Sequence, residues 1–283
     1  MAEQTNIQKP QTAAKKEVGS NVGGIKSAFW VIVICFIIAV LFFMFVLGAP
    51  SNFKVSPSLL SMDKEGPQNL LGTVFKGGVV VPVLITCFLT VIVLCVERWI
   101  ALAKAKGKGN TTKFVEDVKA ALRNHDLGKA EDLCRKQKGT VGAVVYATLQ
   151  KYKEMEKDTV LSKEQKVASI QATLEEATAL EMPALQQNLP ILATLTTLGT
   201  LIGLFGTVLG MIKSFQALSA SGAPDSTELS TGISEALVNT ALGIATAALA
   251  LIGYNFYTNK IDNMTYAIDE LGFATVSTFS ATH

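Results

Sequence analysis

The 283-residue chain is 49% hydrophobic and only 17% charged, with a formal net charge of +2. Ordinary soluble domains carry about 25% charged residues, so this composition excludes a typical soluble globular protein. The small net charge favours neither a nucleic acid nor an acidic substrate as a partner. Four apolar stretches, each roughly 20 residues or longer, match the length of helix that crosses a ~30 Å hydrocarbon core. They cover residues 28–48, 77–96, 189–213 and 233–256.

The first apolar stretch follows several lysines, so a signal peptide is the alternative to a transmembrane helix. A signal peptide has an apolar region of about 7–15 residues, and this stretch is longer. Pro50 also directly follows Gly48 and Ala49, the small residues at which cleavage would occur. We therefore expect residues 28–48 to be a retained, additional N-terminal transmembrane helix behind a basic tail formed by residues 1–27.

The orientation of the spans is predicted from the positions of lysine and arginine. Arg98 and several lysines follow the second span, whereas residues 214–232 contain no lysine or arginine. Because basic residues are enriched in cytoplasmic loops, we expect the insert between the second and third spans to be cytoplasmic. The predicted order is a cytoplasmic tail (1–27), a transmembrane helix (28–48), a periplasmic segment (49–76), a transmembrane helix (77–96), a cytoplasmic helical domain (97–188), a transmembrane helix (189–213), a periplasmic loop (214–232), a transmembrane helix (233–256) and a cytoplasmic C-terminal helix and tail (257–283).

The cytoplasmic insert has the helical periodicity of a folded domain. Thr111 or Thr112 is the expected cap of a helix that ends near Asn124, and two further helices are expected over residues 126–138 and 140–157. The predicted fold class is therefore an all-α integral membrane protein whose transmembrane helices extend into a cytoplasmic helical bundle.

A capping box marks the start of the last helix of the insert. Ser162 is followed three residues later by Gln165. This helix is expected to continue into the third span and to bend at Pro183 and Pro190. After the fourth span, the apolar residues again recur with helical spacing, so an amphipathic helix is expected there as well.

Cysteine and histidine give no indication of a cofactor, a metal site or a disulfide framework. Three of the four cysteines lie in apolar stretches and Cys134 stands alone in the insert. The two histidines, His125 and His283, lie outside every predicted span. An intramembrane enzyme is not expected, because no span carries a histidine or a pair of aspartates beside a nucleophile.

The third span has an unusually polar and narrow side. Hydroxyl groups and glycines recur on it at steps of three and four residues, and Ser214 ends the series. The members are Thr196, Thr200, Gly203, Thr207 and Gly210. The pairs Gly199 and Gly203, and Gly206 and Gly210, are typical of close helix packing. Packing alone does not require three threonines on one face, so a path for water or protons is the second interpretation.

The fourth span carries a matching polar face. One stripe consists of Glu235, Asn239, Gly243, Thr246 and Ala250, and Thr240 stands beside it. Glu235 is interpreted either as a group facing protein or water inside the membrane, or as a solvated residue in the headgroup region. Lys213, near the end of the third span, is typical of a lysine whose ammonium reaches the membrane surface.

Two segments carry a family resemblance. The sequence LIGLFGTVLGMIKSF at residues 201–215 and the sequence GISEALVNTALGIATA at residues 232–247 resemble the last two membrane helices of the MotA/TolQ/ExbB proton-channel family, ExbB-like members most of all. The order of spans, insert and loop is also similar, over about residues 70–270. The chain differs by the extra span at residues 28–48 and by Leu249, where many ExbB-like sequences have proline.

The resemblance implies functional roles for individual residues. It places Thr207, Thr240 and Glu235 along a proton pathway, and the neighbouring polar residues Asn239, Thr200, Thr196 and Thr246 are candidates for the same pore lining. It also implies a homo-oligomeric ring, a pentamer by analogy, in the bacterial inner membrane. Glu235 is the only acidic residue in any span, so a single-span ExbD-type partner with a membrane aspartate is expected to complete the proton path.

The work expected from such a motor is the energising of TonB for transport across the outer membrane. A TolQ-like or MotA-like stator for envelope integrity or motility is the alternative within the family. A membrane scaffold that conducts no ions is the alternative outside it.

Overall fold

The computed structural model describes residues 28–55, 65–220 and 226–282. The predicted basic tail, His283 and parts of both predicted periplasmic segments lie outside this range. In chain order the helices are α1 (Ala28–Leu41), α2 (Leu70–Phe75), α3 (Val80–Lys106), α4 (Thr111–Arg123), α5 (Leu127–Gln137), α6 (Gly139–Lys157), α7 (Lys163–Gln186), α8 (Leu189–Ala220) and α9 (Ser226–Thr282).

In the described residues, the elements other than α-helices all lie in the connection between α1 and α2. A π-helical segment (Phe42–Leu47) continues α1 and a 3-10 turn (Pro50–Asn52) follows it. The strands β1 (Phe53–Val55) and β2 (Glu65–Pro67) then pair antiparallel, with Phe53 opposite Pro67. The sequence did not predict this two-stranded ribbon.

Four helical segments of the described chain are long and apolar enough to cross a membrane, and their apolar parts fall in α1, α3, α8 and α9. This confirms the predicted all-α membrane architecture. The chain is a multi-pass membrane protein.

The chain divides into two compact units. Among the described residues, the membrane unit covers the chain up to Glu97 and from Asn188 to Phe256, and the bundle unit covers Arg98–Gln187 and the chain from Tyr257 onward. One division lies between α7 and α8, and the other two fall within α3 and within α9, because each of these helices is longer than its apolar part. Leu249 does not interrupt α9, which is continuous over 57 residues.

An aromatic cluster forms one core of the membrane unit. Phe43, Phe53, Phe75 and Val81 are all buried together with Leu47. The rings of Phe43 and Phe75 are stacked with centroids 4.6 Å apart, and the ring of Phe53 meets Phe75 edge-on at 5.4 Å. These contacts hold the β-ribbon and α2 against the end of α1.

The bundle unit encloses a second core, in which the end of α9 takes part. Tyr152 and Met155 of α6, Ile170 of α7 and Phe279 of α9 are buried against one another. The predicted amphipathic helix after the fourth span is confirmed by the buried apolar residues that recur along it, Ile261, Met264, Ile268 and Leu271.

The cap of the first helix of the insert differs from the prediction. Asn110, rather than Thr111 or Thr112, caps α4, since its side chain accepts a hydrogen bond from the backbone N–H of Thr112 at 3.0 Å. An asparagine oxygen is among the most favourable N-cap acceptors, which explains why it takes this position ahead of threonine.

The predicted continuous helix from Ser162 into the third span is wrong. The capping box of Ser162 and Gln165 is confirmed, but α7 ends at Gln186 and Asn188 has a left-handed backbone with φ of 64°. Pro190 lies in the first turn of α8, where a missing N–H is tolerated. Pro183 lies inside α7, which continues past it to Gln186, and the helix is interrupted only at Gln187 and Asn188, directly before α8.

Candidate functional site

Glycines bring α8 and α9 into close backbone contact within the membrane unit. Gly199, Gly203, Gly206 and Gly210 of α8 are all buried. A Cβ atom on Gly203 would lie 3.0 Å from the Cα of Gly243, and a Cβ on Gly210 would lie 2.7 Å from a carbonyl oxygen of α9. Only glycine allows this approach, so the two helices share a narrow seam along which polar side chains meet.

A pair of hydroxyl groups bridges the two helices at this seam. The hydroxyls of Thr207 and Thr240 are in hydrogen-bond contact, and both side chains are half-buried. Each hydroxyl also lies 3.2 Å from a carbonyl oxygen of its own helix, that of Gly203 for Thr207 and that of Ala236 for Thr240. The two hydroxyl protons of the pair therefore have three possible hydrogen-bond positions, one between the hydroxyls and one to each carbonyl oxygen.

Asn239 lies on the buried side of α9. Its side chain is fully buried and packs against Gly206 of α8. Its amide nitrogen donates a hydrogen bond of 3.0 Å to the carbonyl oxygen of Gly77, in the connection between α2 and α3. Within the described residues, its Oδ1 atom is buried without a hydrogen-bond partner. An unsatisfied buried acceptor is uncommon and suits a water molecule or a proton donor.

Glu235 forms an ion pair with Lys213. The ammonium nitrogen of Lys213 lies 2.7 Å from Oε1 and 3.0 Å from Oε2 of Glu235. The carboxylate side chain is 8% exposed, whereas the lysine side chain is 57% exposed. A buried carboxylate is costly unless it is paired, and Lys213 supplies the opposite charge.

Gly78 completes the surroundings of this carboxylate. It has a left-handed backbone with φ of 76°, and a Cβ atom on it would lie only 2.3 Å from Oε1 of Glu235. The connection between α2 and α3 thus approaches α9 closely at both Glu235 and Asn239. Sequence reasoning missed this third component of the site, although two adjacent glycines at the start of a span were a usable signal.

The other predicted pore-lining threonines do not join the hydroxyl pair. Thr246 is buried beside Gly199 and donates to the carbonyl of Leu242 at 2.8 Å. Thr196 is half-buried and donates to the carbonyl of its own helix at 2.6 Å, and Thr200 is exposed. The polar face of the two spans therefore separates into the hydroxyl pair, the Asn239 contact, the ion pair and isolated threonines.

Sequence reasoning also missed the pairing of Lys213 with Glu235, because it treated each charge separately. Two opposite charges near the joined ends of consecutive antiparallel helices were the signal for it. No group of three histidine, cysteine, aspartate or glutamate side chains that could hold a metal ion is found in the part of the chain that the structure describes.

Comparison with known proteins places these helices in a family. Residues 136–270, which include α8 and the first part of α9, match the MotA/TolQ/ExbB proton channel family. This part of the chain, which carries α8 and most of α9, is similar to that family. This is a family of channel and transport subunits.

Individual relatives match over shorter segments. A putative biopolymer transport protein, ExbB-like 3, of Synechocystis sp. is 37% identical over 86 residues, which are 30% of this chain and 41% of that protein. The Tol-Pal system protein TolQ of Haemophilus influenzae is 40% identical over 75 residues, 26% of this chain and 33% of that protein. The biopolymer transport protein ExbB of Helicobacter pylori is 41% identical over 78 residues, 28% of this chain and 54% of that protein. The matches thus span between 33% and 54% of the length of these three relatives.

Proposed function

We propose that the chain is the proton-channel subunit of an inner-membrane motor of the ExbB type. In this proposal several copies, a pentamer by analogy, form a ring whose interior is lined by α8 and α9. A single-span ExbD-type partner inserts into the ring, and the motor transmits work to TonB for transport across the outer membrane. The observation that carries the proposal is the hydroxyl pair of Thr207 and Thr240, which bridges α8 and α9.

The hydroxyl pair suits proton transfer because its hydrogen bonds can be reversed. One hydroxyl of the pair donates to the other, which in turn donates to a backbone carbonyl, and the two roles can be exchanged. When the pair accepts a proton on one side, it can therefore release a different proton on the other side. A hydroxyl does not hold a proton charge by itself at neutral pH. The membrane aspartate of the partner supplies the titratable group, and each charge that crosses contributes about 2.3 kcal/mol per 100 mV.

Valine substitutions test this role, because valine has nearly the shape of threonine and lacks the hydroxyl. T207V and T240V, each co-reconstituted with the ExbD-type partner in liposomes, are expected to reduce proton flux by about tenfold or more. A pH-sensitive dye inside the vesicles measures the flux. T197V is the matched control, since Thr197 lies on the same helix with an exposed side chain and is not one of the predicted pore-lining residues, and it should retain the wild-type flux.

Size-exclusion chromatography of each variant shows whether the assembly has formed. If T207V and T240V assemble and conduct protons at the wild-type rate, the hydroxyl pair has no role in conduction. A wild-type assembly that conducts no protons with its partner would instead support a scaffold.

A TolQ-like function is the second candidate, because two TolQ proteins are 40% and 38% identical to this chain over 75 and 80 residues. Expression in strains that lack either ExbB or TolQ distinguishes the two. Restored TonB-dependent uptake supports the first function, and restored outer-membrane integrity supports the second.

A further inference from the structure

The ion pair and the hydroxyl pair are successive polar layers along one seam. Glu235 precedes Thr240 by five residues and Lys213 follows Thr207 by six, which corresponds to about 7.5 Å and about 9 Å along the two helices. Asn239, with its unpartnered Oδ1, lies one helical turn from Glu235. The layers together offer carboxylate, amide, hydroxyl and carbonyl oxygens.

Such a set of oxygens has the chemistry of an alkali-cation site as well as of a proton path. Sodium or potassium requires several oxygen ligands in place of its water, and carboxylates are common ligands at cation-selective constrictions. A proton requires only one acceptor at a time. The position that a metal cation would take beside Glu235 is occupied by the ammonium of Lys213, which contacts both carboxylate oxygens.

We propose that Lys213 is a specificity-determining residue that excludes sodium and potassium ions from this seam. This inference rests on the proposed proton-channel function. The ammonium neutralises the carboxylate, so no net negative charge attracts a second cation, and its own charge repels any cation that approaches. Gly78 leaves the carboxylate room to receive the lysine, because a side chain there would collide with Oε1.

Lys213 is well placed for this role and is the only charged residue of α8. A lysine that only reached for the membrane surface would not require a buried carboxylate at 2.7 Å. The Lys213 side chain is 57% exposed and that of Glu235 is 8% exposed, so a cation that approaches from the exposed side meets the lysine before the carboxylate.

The test compares three variants with the wild type, each co-reconstituted with the ExbD-type partner in liposomes. One dye inside the vesicles reports sodium and another reports pH. K213Q removes the positive charge and is expected to raise sodium flux about tenfold or more above the wild type. K213R, which keeps the charge, should exclude sodium as the wild type does. The double variant K213Q/E235Q removes both charges and should return sodium flux to the background.

Each outcome separates the inference from the proposed function. If K213Q carries protons but no sodium, the specificity role is overturned and the proton-channel function stands. If the wild type carries no protons, the proposed function fails and the inference fails with it. If K213Q/E235Q carries as much sodium as K213Q, the carboxylate is not the cation site and the inference is overturned. Should K213Q not assemble, K213M retains the apolar stem and is measured in its place.

Discussion

At the scale of single residues, the polar site between α8 and α9 depends on glycines as much as on its polar side chains. Gly78 allows the connection between α2 and α3 to reach the carboxylate of Glu235, and the glycines of α8 allow α9 to approach. Thr207, Thr240 and Asn239 meet their partners only because these small residues remove the atoms that would separate the backbones. The polar groups and the glycines therefore act together.

Replacing Gly78 by alanine tests this dependence. G78A places a Cβ in a left-handed backbone with φ of 76° and 2.3 Å from Oε1 of Glu235. We expect it to lower the free energy of unfolding by about 1–3 kcal/mol and to displace the carboxylate from Lys213. G109A is the matched control, because Gly109 also has a positive φ, of 97°, but the nearest atom to its Cβ would be 3.7 Å away.

Thermal unfolding of both variants in detergent separates backbone strain from the collision. Both substitutions strain a backbone with positive φ, and only G78A adds a collision, so we expect G78A to unfold at a lower temperature than G109A. Equal unfolding temperatures would show that Gly78 does not define the position of Glu235.

At the scale of helices, α9 contributes to both units of the chain. Its apolar part carries Glu235, Asn239 and Thr240, and its last turns carry the buried ring of Phe279. The ring lies 4.9 Å from that of Tyr152, edge to face. A helix of 57 residues is far longer than a membrane requires, and its buried apolar residues in the bundle unit explain why it stays helical after the span.

The pair of phenylalanines in this part of α9 offers a matched test of that anchoring. Phe279 is fully buried, whereas Phe273 is 76% exposed. We expect F279A to lower the free energy of unfolding by about 3–5 kcal/mol, because it leaves a cavity in the bundle core. F273A should change it by less than about 0.5 kcal/mol.

Hydrogen exchange of the full chain, read in α6 and in the end of α9, measures the two effects locally. Loss of protection in α6 with F279A and not with F273A is the expected result. Equal protection in both variants would mean that the end of α9 does not stabilise the bundle.

At the scale of the whole molecule, the orientation in the membrane is a prediction from basic residues. It is tested with single cysteines in a variant without native cysteines. V160C lies in the connection between α6 and α7, where Val160 is 89% exposed, and S221C lies in the connection between α8 and α9. With an impermeant maleimide, S221C should react in intact spheroplasts and V160C only after lysis. The reverse pattern would place the bundle unit outside the cytoplasm.

Local sequence signals predicted the helical elements well. The apolar stretches are found in α1, α3, α8 and α9, and the capping box of Ser162 and Gln165 begins α7 at the expected residue. These features depend on a residue and its near neighbours in the chain, so they can be read without the fold. The break at Asn188 was missed because the helical periodicity continues on both sides of it, and Pro183 and Pro190 predicted a bend rather than a break.

The sequence by itself determined the membrane class, the helical pattern and the polar character of the last two spans, since apolar length and side-chain periodicity are properties of local chain segments. Only the tertiary structure decided which polar groups meet. The pairing of Lys213 with Glu235 and of Asn239 with Gly77 joins residues that lie 22 and 162 positions apart. Such contacts depend on how helices pack, and helix periodicity does not specify which face of one helix opposes which face of another.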